Sequence, residues 1–204
     1  MPEMIDEAGQ IESTTVNIYR TAATVKGGRR FSFGALVVVG DRQGKVGYGY
    51  AKSTEVPVAI EKAQRKARRS MVTVKRLGTT VPHEVETNFS ASTIRLIPAT
   101  PGTGIVAGAT VRAVLEMAGY SDCITKSIGS GNKLNVVKAV VDGLAKMRLT
   151  EDVAASRGVE LGDSVIQQRI DRARALTGAG IGASTEPSAD ASDSSDDADK
   201  ASDN

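Results

Sequence analysis

The chain has 204 residues with 26 Lys or Arg, 24 Asp or Glu, one His and one Cys. One cysteine excludes an internal disulfide and a thiolate zinc cluster, and one histidine leaves no second imidazole for a metal site, so neither cofactor nor metal is expected. The net charge of +2 hides a division: residues 1–15 carry four acids and no base, residues 184–204 carry seven acids and one Lys, and residues 16–183 keep 25 bases against 13 acids.

The acidic N-terminus has no apolar core of a secretory signal, and no run approaches the roughly 18 apolar residues of a membrane span. A soluble, cytoplasmic protein with no membrane partner is expected, of one domain or two small ones.

Residues 1–15 are weakly patterned and fit either a fraying helix or disorder. Val16–Val25 alternates as a first strand. Lys26-Gly27-Gly28-Arg29-Arg30 reads as a turn with three cations on it. Its glycines let backbone approach a ligand, so it is either a solvated hairpin loop or a tip that grips phosphates. Phe31–Val39 and Lys45–Ala51 are aromatic and β-branched strands around a Gly40–Gly44 turn. Phe31 and Phe33 share one face of their strand, as do Tyr48 and Tyr50. The run K-V-G-Y-G-Y-A echoes the base-stacking strand of RNA-recognition motifs. The element order, three strands before a helix, argues against that fold, so the aromatics are expected to hold the strands to the helix.

Ser53 and Thr54 lead into that helix, with Glu55 and Pro57 near its first turn. Ile60, Ala63, Ala67 and Met71 form the expected buried stripe, and Lys62, Arg65, Lys66 and Arg69 line another face. From Arg20 to Arg76 there are 14 bases against three acids. Cations at that density repel one another unless an anion meets them, and for so large a face that anion is a nucleic-acid backbone. The expected RNA contacts are Arg20, Lys26, Gly27, Gly28, Arg29, Arg30, Arg42, Lys45, Lys52, Lys62, Arg65, Lys66 and Arg69.

Near residue 72 the basic character ends. Val72–Arg76, Val81–Phe89 and Ser92–Ile97 read as strands, the first two around Gly78-Thr79-Thr80. A glycine-rich turn at 101–108 then feeds a helix, Ala109–Ala118, with Val111, Val114, Leu115 and Ala118 inward. Arg112 and Glu116, four apart, can pair across its surface. Ser121–Ser127 is a short strand, and Asn132 is placed to cap a helix over Leu134–Met147. Further helices are expected at Thr150–Arg157 and Asp163–Leu176. After Gly178 the acidic, apolar-poor chain is expected to be disordered, either shielding the basic body or only adding solubility.

Several unbroken runs together resemble the bacterial small-subunit ribosomal protein number five (S-five) family. They are T-V-K-G-G-R at 24–29, F-S-F at 31–33, V-V-G-D at 38–41, E-V-P at 55–57, K-A-R-R at 66–69, G-T-G-I at 102–105, R-A-V-L-E at 112–116, N-V-V at 135–137 and D-G-L at 142–144. The resemblance covers Val16 to Leu161 and implies an α+β architecture of two small domains. Residues 16–72 would form a double-stranded-RNA-binding-like sheet and helix, and residues 73–161 a split β-α-β domain. Flanking them are the acidic segment 1–15, a helical extension at 162–177 and the tail 178–204.

The resemblance also implies a structural role in the small ribosomal subunit. There the chain would bind 16S ribosomal RNA, touch ribosomal proteins number four and eight, support assembly and translational accuracy, and lie near where mRNA enters. The loop Thr24, Val25, Lys26, Gly27 and Gly28 would lie near the spectinomycin site, and Gly104 and Arg112 at the contact with protein four. Ala23 stands where relatives often carry Lys, and Lys133 where a Pro commonly starts the helix. An alternative from another class is a nucleotide-binding small-molecule kinase, suggested by residues 101–108. That turn lacks the G-K-[ST] ending of a phosphate loop and a candidate base. A free-standing double-stranded-RNA-binding module is a third reading.

Overall fold

Ala35 to Val39, five consecutive residues of one strand, are each at most 1 % exposed. Successive strand residues point to opposite faces, so this run must be covered on both sides. The computed structural model describes residues 11–158, 162 and 164–179 and shows what the two covers are.

The first sheet is antiparallel, in the order β1 (Glu12–Val25), β2 (Gly28–Gly40), β3 (Lys45–Ser53) and β4 (Val72–Thr73). Helix α1 (Val56–Arg69) covers one face, where Ala35, Val37 and Val39 of β2 meet Ala59, Ala63 and Ala67 of the helix. The approach is close enough to exclude side chains. A Cβ on Gly49 would lie 2.0 Å from the Ala63 carbonyl oxygen, and one on Gly47 2.4 Å from that of Ala67.

Leu36, Val38 and Val46 point the other way, into a core shared with the rest of the chain. That part has a second sheet in the order β5 (Val85–Phe89), β6 (Ser92–Pro98), β8 (Cys123–Gly129), β7 (Ile105–Val106). Strands β7 and β8 run parallel, joined through helix α2 (Ala109–Ala118). Helix α3 (Lys133–Lys146) buries Val136, Val137, Val140, Val141 and Leu144. Asn132 caps it as expected, its side chain accepting from the Leu134 N–H at 3.2 Å.

The C-terminus of α2 seats on the first sheet. The Arg42 N–H donates to the Met117 carbonyl at 3.0 Å, and Arg76 Nη1 donates to the Gly119 carbonyl at 2.9 Å. Gly119, at φ 86, is the left-handed C-cap; a Cβ there would lie 1.9 Å from the Arg42 oxygen. Beyond α3 come α4 (Thr150–Arg157), which Asp152 ties to Lys75, and α5 (Val165–Ala179). Ile170 of α5 is buried, in a small cleft with Pro98, Ala99 and Thr100.

The structure corrects several expectations. Strand β1 begins at Glu12, so Glu12–Thr15 belong to the sheet rather than to a fraying helix or disorder. Ser53 belongs to β3, while Glu55, near the first turn of α1 as expected, is its N-cap. The buried stripe of α1 is Ala59, Ala63 and Ala67, with Ile60 and Met71 half-buried at its margin. The expected strands Val72–Arg76 and Val81–Phe89 shrink to β4 and β5, because Leu77 and Thr80 bridge each other in a tight turn. The strand expected at Ser121–Ser127 lies two residues later. Arg112 does not pair with Glu116; its Nη2 donates to the Ile105 carbonyl at 3.3 Å. Gly178 and Ala179 continue α5, and the rest of the expected disordered tail, like residues 1–10, lies outside the described residues.

The aromatic expectation fails for the two tyrosines. Tyr48 and Tyr50 pack into the shared core on the face away from α1, because the helix nearly touches the strand backbone at Gly47 and Gly49. Tyr50 meets Tyr19 edge-on, with ring centroids 6.3 Å apart.

Gly49→Ala is expected to destabilise the fold by about 1–3 kcal/mol, because its methyl meets backbone that cannot rotate away. Gly131→Ala, with nothing within 4 Å of its Cβ, should melt near the wild-type temperature. Thermal unfolding of the two variants checks this. Burial pushes the Cys123 thiol from 9.0 up to about 11. Below pH 9 both folded and unfolded thiols keep their proton; as pH rises to about 11 only the folded one does, so stability falls over that window. A Cys123→Ala variant should lose less stability there, and thiol labelling of the wild type at pH 8 should track unfolding.

Candidate nucleic-acid interface

Strand β3 ends its pairing with β2 at Ser53 and Phe33, but β1 and β2 continue together to Val25 and Gly28. Five residue pairs therefore project as a two-stranded finger, roughly 17 Å long at the rise of a strand. Every residue from Ala22 to Phe31 is exposed. Only Lys26 and Gly27 form the turn, and Gly27 takes φ 91, a conformation that suits glycine. Arg29 and Arg30 are not on the turn as expected. They sit in the ladder opposite Thr24 and Ala23, so by alternation their side chains leave opposite faces of the finger. Below them the Arg20 guanidinium lies 3.9 Å over the Phe31 ring. Phe31 thus remains exposed under a cation instead of packing on α1.

Helix α1 supplies the second cationic surface. Lys62, Arg65, Lys66, Arg68 and Arg69 are all exposed, and Glu61 is the one acid of the helix. Lys66, Arg68 and Arg69 fall in the last turn, where the helix dipole favours positive charge, so the sequence can crowd cations there without melting the helix. The four ion pairs among the described residues use Arg42, Lys75, Arg95 and Lys146. None uses a cation of the finger or of α1.

The two surfaces meet in a shallow hollow of about 550 Å³. Thr21, Ala22, Ala23 and Ser32 of the finger base line it with Lys52 of β3 and Lys62 of α1. Because α1 runs antiparallel to β3, Lys62 lies toward the finger and Arg69 toward the far end, near Lys45. Arg42 stands apart. It occupies the opposite end of β2 from the finger, at φ 56, and pairs with Glu12 at 2.6 Å.

Gly104 and Arg112 lie on the other unit, flanking β7. Gly102 and Gly104 take φ 90 and 75, and both of their N–H groups donate to Asp122 Oδ1 at 2.9 Å. The turn that suggested a phosphate loop is therefore already filled by the chain's own carboxylate. Asp122 is a residue the sequence pattern does not point to, since it lies 18 positions beyond Gly104. Arg68 could have been read from the K-A-R-R run but falls off the i, i+3, i+4, i+7 row.

Two family models match the chain. Residues 11–75 match ribosomal protein S5, N-terminal domain, and residues 87–157 match ribosomal protein S5, C-terminal domain. The first match spans the sheet with the finger and α1, and the second spans β5 to α4. Both halves match in the right order over most of the chain, so the protein belongs to the ribosomal protein S5 family.

Proposed function

We propose that the first sheet is the RNA-gripping unit of this ribosomal protein, with the finger reaching into the RNA and α1 lying along its backbone. Membership of the S5 family makes the chain a structural constituent of the small ribosomal subunit that binds ribosomal RNA and other ribosomal proteins. The observation that carries the finer reading is the run of exposed cations on the finger and α1 outside every described ion pair. Cations left unneutralised by the protein release counterions when they meet phosphates, and that is the main driving force of backbone binding. A helix with a flanking hairpin suits A-form RNA, whose wide minor groove is read by shape and 2′-hydroxyl contacts.

The resemblance supports further assignments. The RNA is the 16S species of a bacterial-type, cytoplasmic ribosome. The finger tip, Thr24 to Gly28, lies near the spectinomycin site. The edge carrying Gly104 and Arg112 meets protein four, protein eight is a second neighbour, and the chain supports assembly and accuracy near where mRNA enters. Arg42, already paired with Glu12, contributes less to RNA binding than the cations of α1.

Neutralising Lys62, Lys66 and Arg69 together is expected to weaken binding to small-subunit RNA. The log–log salt slope should become shallower by about 0.7–0.9 for each phosphate that the variant no longer neutralises. Arg42→Gln should change the slope less. Filter binding across a salt series checks both, and a slope unchanged in the triple variant would remove α1 from the interface. Sucrose-gradient fractionation tests the ribosomal placement separately: the protein should travel with small subunits, not stay in the soluble fractions as a free-standing RNA-binding module would.

A further inference from the structure

We propose that Asp122 is a built-in anion that closes the glycine turn at residues 101–104 to phosphate, so that removing its carboxylate uncovers an anion site. Positive φ at Gly102 and Gly104 turns two backbone N–H groups toward one point, the arrangement that makes a concave anion nest. Asp122 Oδ1 sits at that point, 2.9 Å from each nitrogen. Its residue is only 4 % exposed, whereas Gly102 and Thr103 are on the surface. A buried carboxylate oxygen is costly unless it is hydrogen-bonded, and the two amides meet that need at Oδ1.

The carboxylate is held from behind. The N–H groups of Ser121 and Asp122 both donate to the Thr79 carbonyl, at 3.0 and 3.1 Å, and the Cys123 N–H donates to the Gly104 carbonyl at 3.1 Å. These bonds fix the Asp122 backbone, so its carboxylate can leave the nest only by a rotamer change that breaks both of its own bonds, to the Gly102 and Gly104 N–H groups. Without the carboxylate, two convergent donors would be left without a partner beneath the exposed Gly102 and Thr103, and Arg112 Nη2 donates to the carbonyl of Ile105, the residue after Gly104. Aligned amides with no internal acceptor are what a phosphate group seeks. With it, RNA backbone and nucleotides find the donors spent and a negative charge in place. The edge carrying Gly104 is then left to protein contact; this last point rests on the function proposed above, but the closing of the nest does not.

Titration of the full chain with inorganic phosphate, read at the amide resonances of Gly102 and Gly104, tests the proposal without any ribosomal component. In the wild type both resonances should stay fixed at phosphate concentrations that move amides of α1. In Asp122→Ala both should shift saturably, with phosphate affinity at least about tenfold above any wild-type response. In Asp122→Asn they should again stay fixed, because the side-chain carbonyl still accepts both amides. Movement of the two resonances in the wild type, or none in a folded Asp122→Ala, overturns the proposal. If the Ala variant does not fold, hydrogen exchange decides. A neutral acceptor holds an amide less strongly than a carboxylate, so Gly102 and Gly104 should exchange severalfold faster in Asp122→Asn than in the wild type. Equal protection overturns the proposal.

Discussion

The close approach of α1 to β3 governs the rest of this molecule. Where a helix backbone nearly touches a strand backbone, only glycine and alanine fit between them, and Gly47, Gly49, Ala59, Ala63 and Ala67 supply that seam. The seam uses up the small residues on one side and forces the large ones elsewhere. Tyr48, Tyr50, Leu36 and Val38 therefore point to the opposite face, where they form a core with α2 and α3. The two halves of the chain are consequently bonded through a common interior rather than strung on a linker. The seam also fixes which way α1 is turned, and so which of its residues face outward. Lys62, Arg65, Lys66, Arg68 and Arg69 are exposed because the alanines must face in.

Most of the architecture was legible in the sequence, and what was missed shares a physical cause. Strand alternation, helical spacing and the Asn132 cap are local signals, and each led to an element of the right kind. The errors arose where tertiary pairing decides. K-G-G-R-R looks like a loop by composition, yet strand pairing draws Gly28, Arg29 and Arg30 into the ladder and leaves a two-residue turn. Alternation puts Tyr48 and Tyr50 on a common face of their strand, but the sequence does not say which face meets the helix. Arg112 lies at good spacing for Glu116 and instead donates to the Ile105 carbonyl of β7. The role of Asp122 depends on β8 folding beside the glycine turn, a juxtaposition without a sequence period.

The cationic surface was legible as a block and not as a shape. Charge counting joined Arg42, Lys45 and the α1 row to the finger as one face. The fold separates them along the length of the sheet, with one group around the finger and its basal hollow and another at the far end, and Arg65 and Lys66 between. A surface drawn out in this way suits a long, regularly charged partner better than a compact one. Beyond the matched family region, α5 returns to the body and buries Ile170 by the Pro98–Thr100 segment, so this addition is anchored beside the same β6 end from which the glycine turn departs.

The finger has one more property. A two-stranded ribbon with no core beneath it leaves backbone donors and acceptors unpaired along both of its outer edges, and such edges invite pairing with another copy of the same ribbon. Arg20, Lys26, Arg29 and Arg30 put like charges on every copy, so two fingers repel before their edges can align. The residues proposed to hold RNA would then also keep newly made chains apart until RNA arrives. Once phosphates neutralise those charges, the nucleic acid itself covers the exposed ribbon.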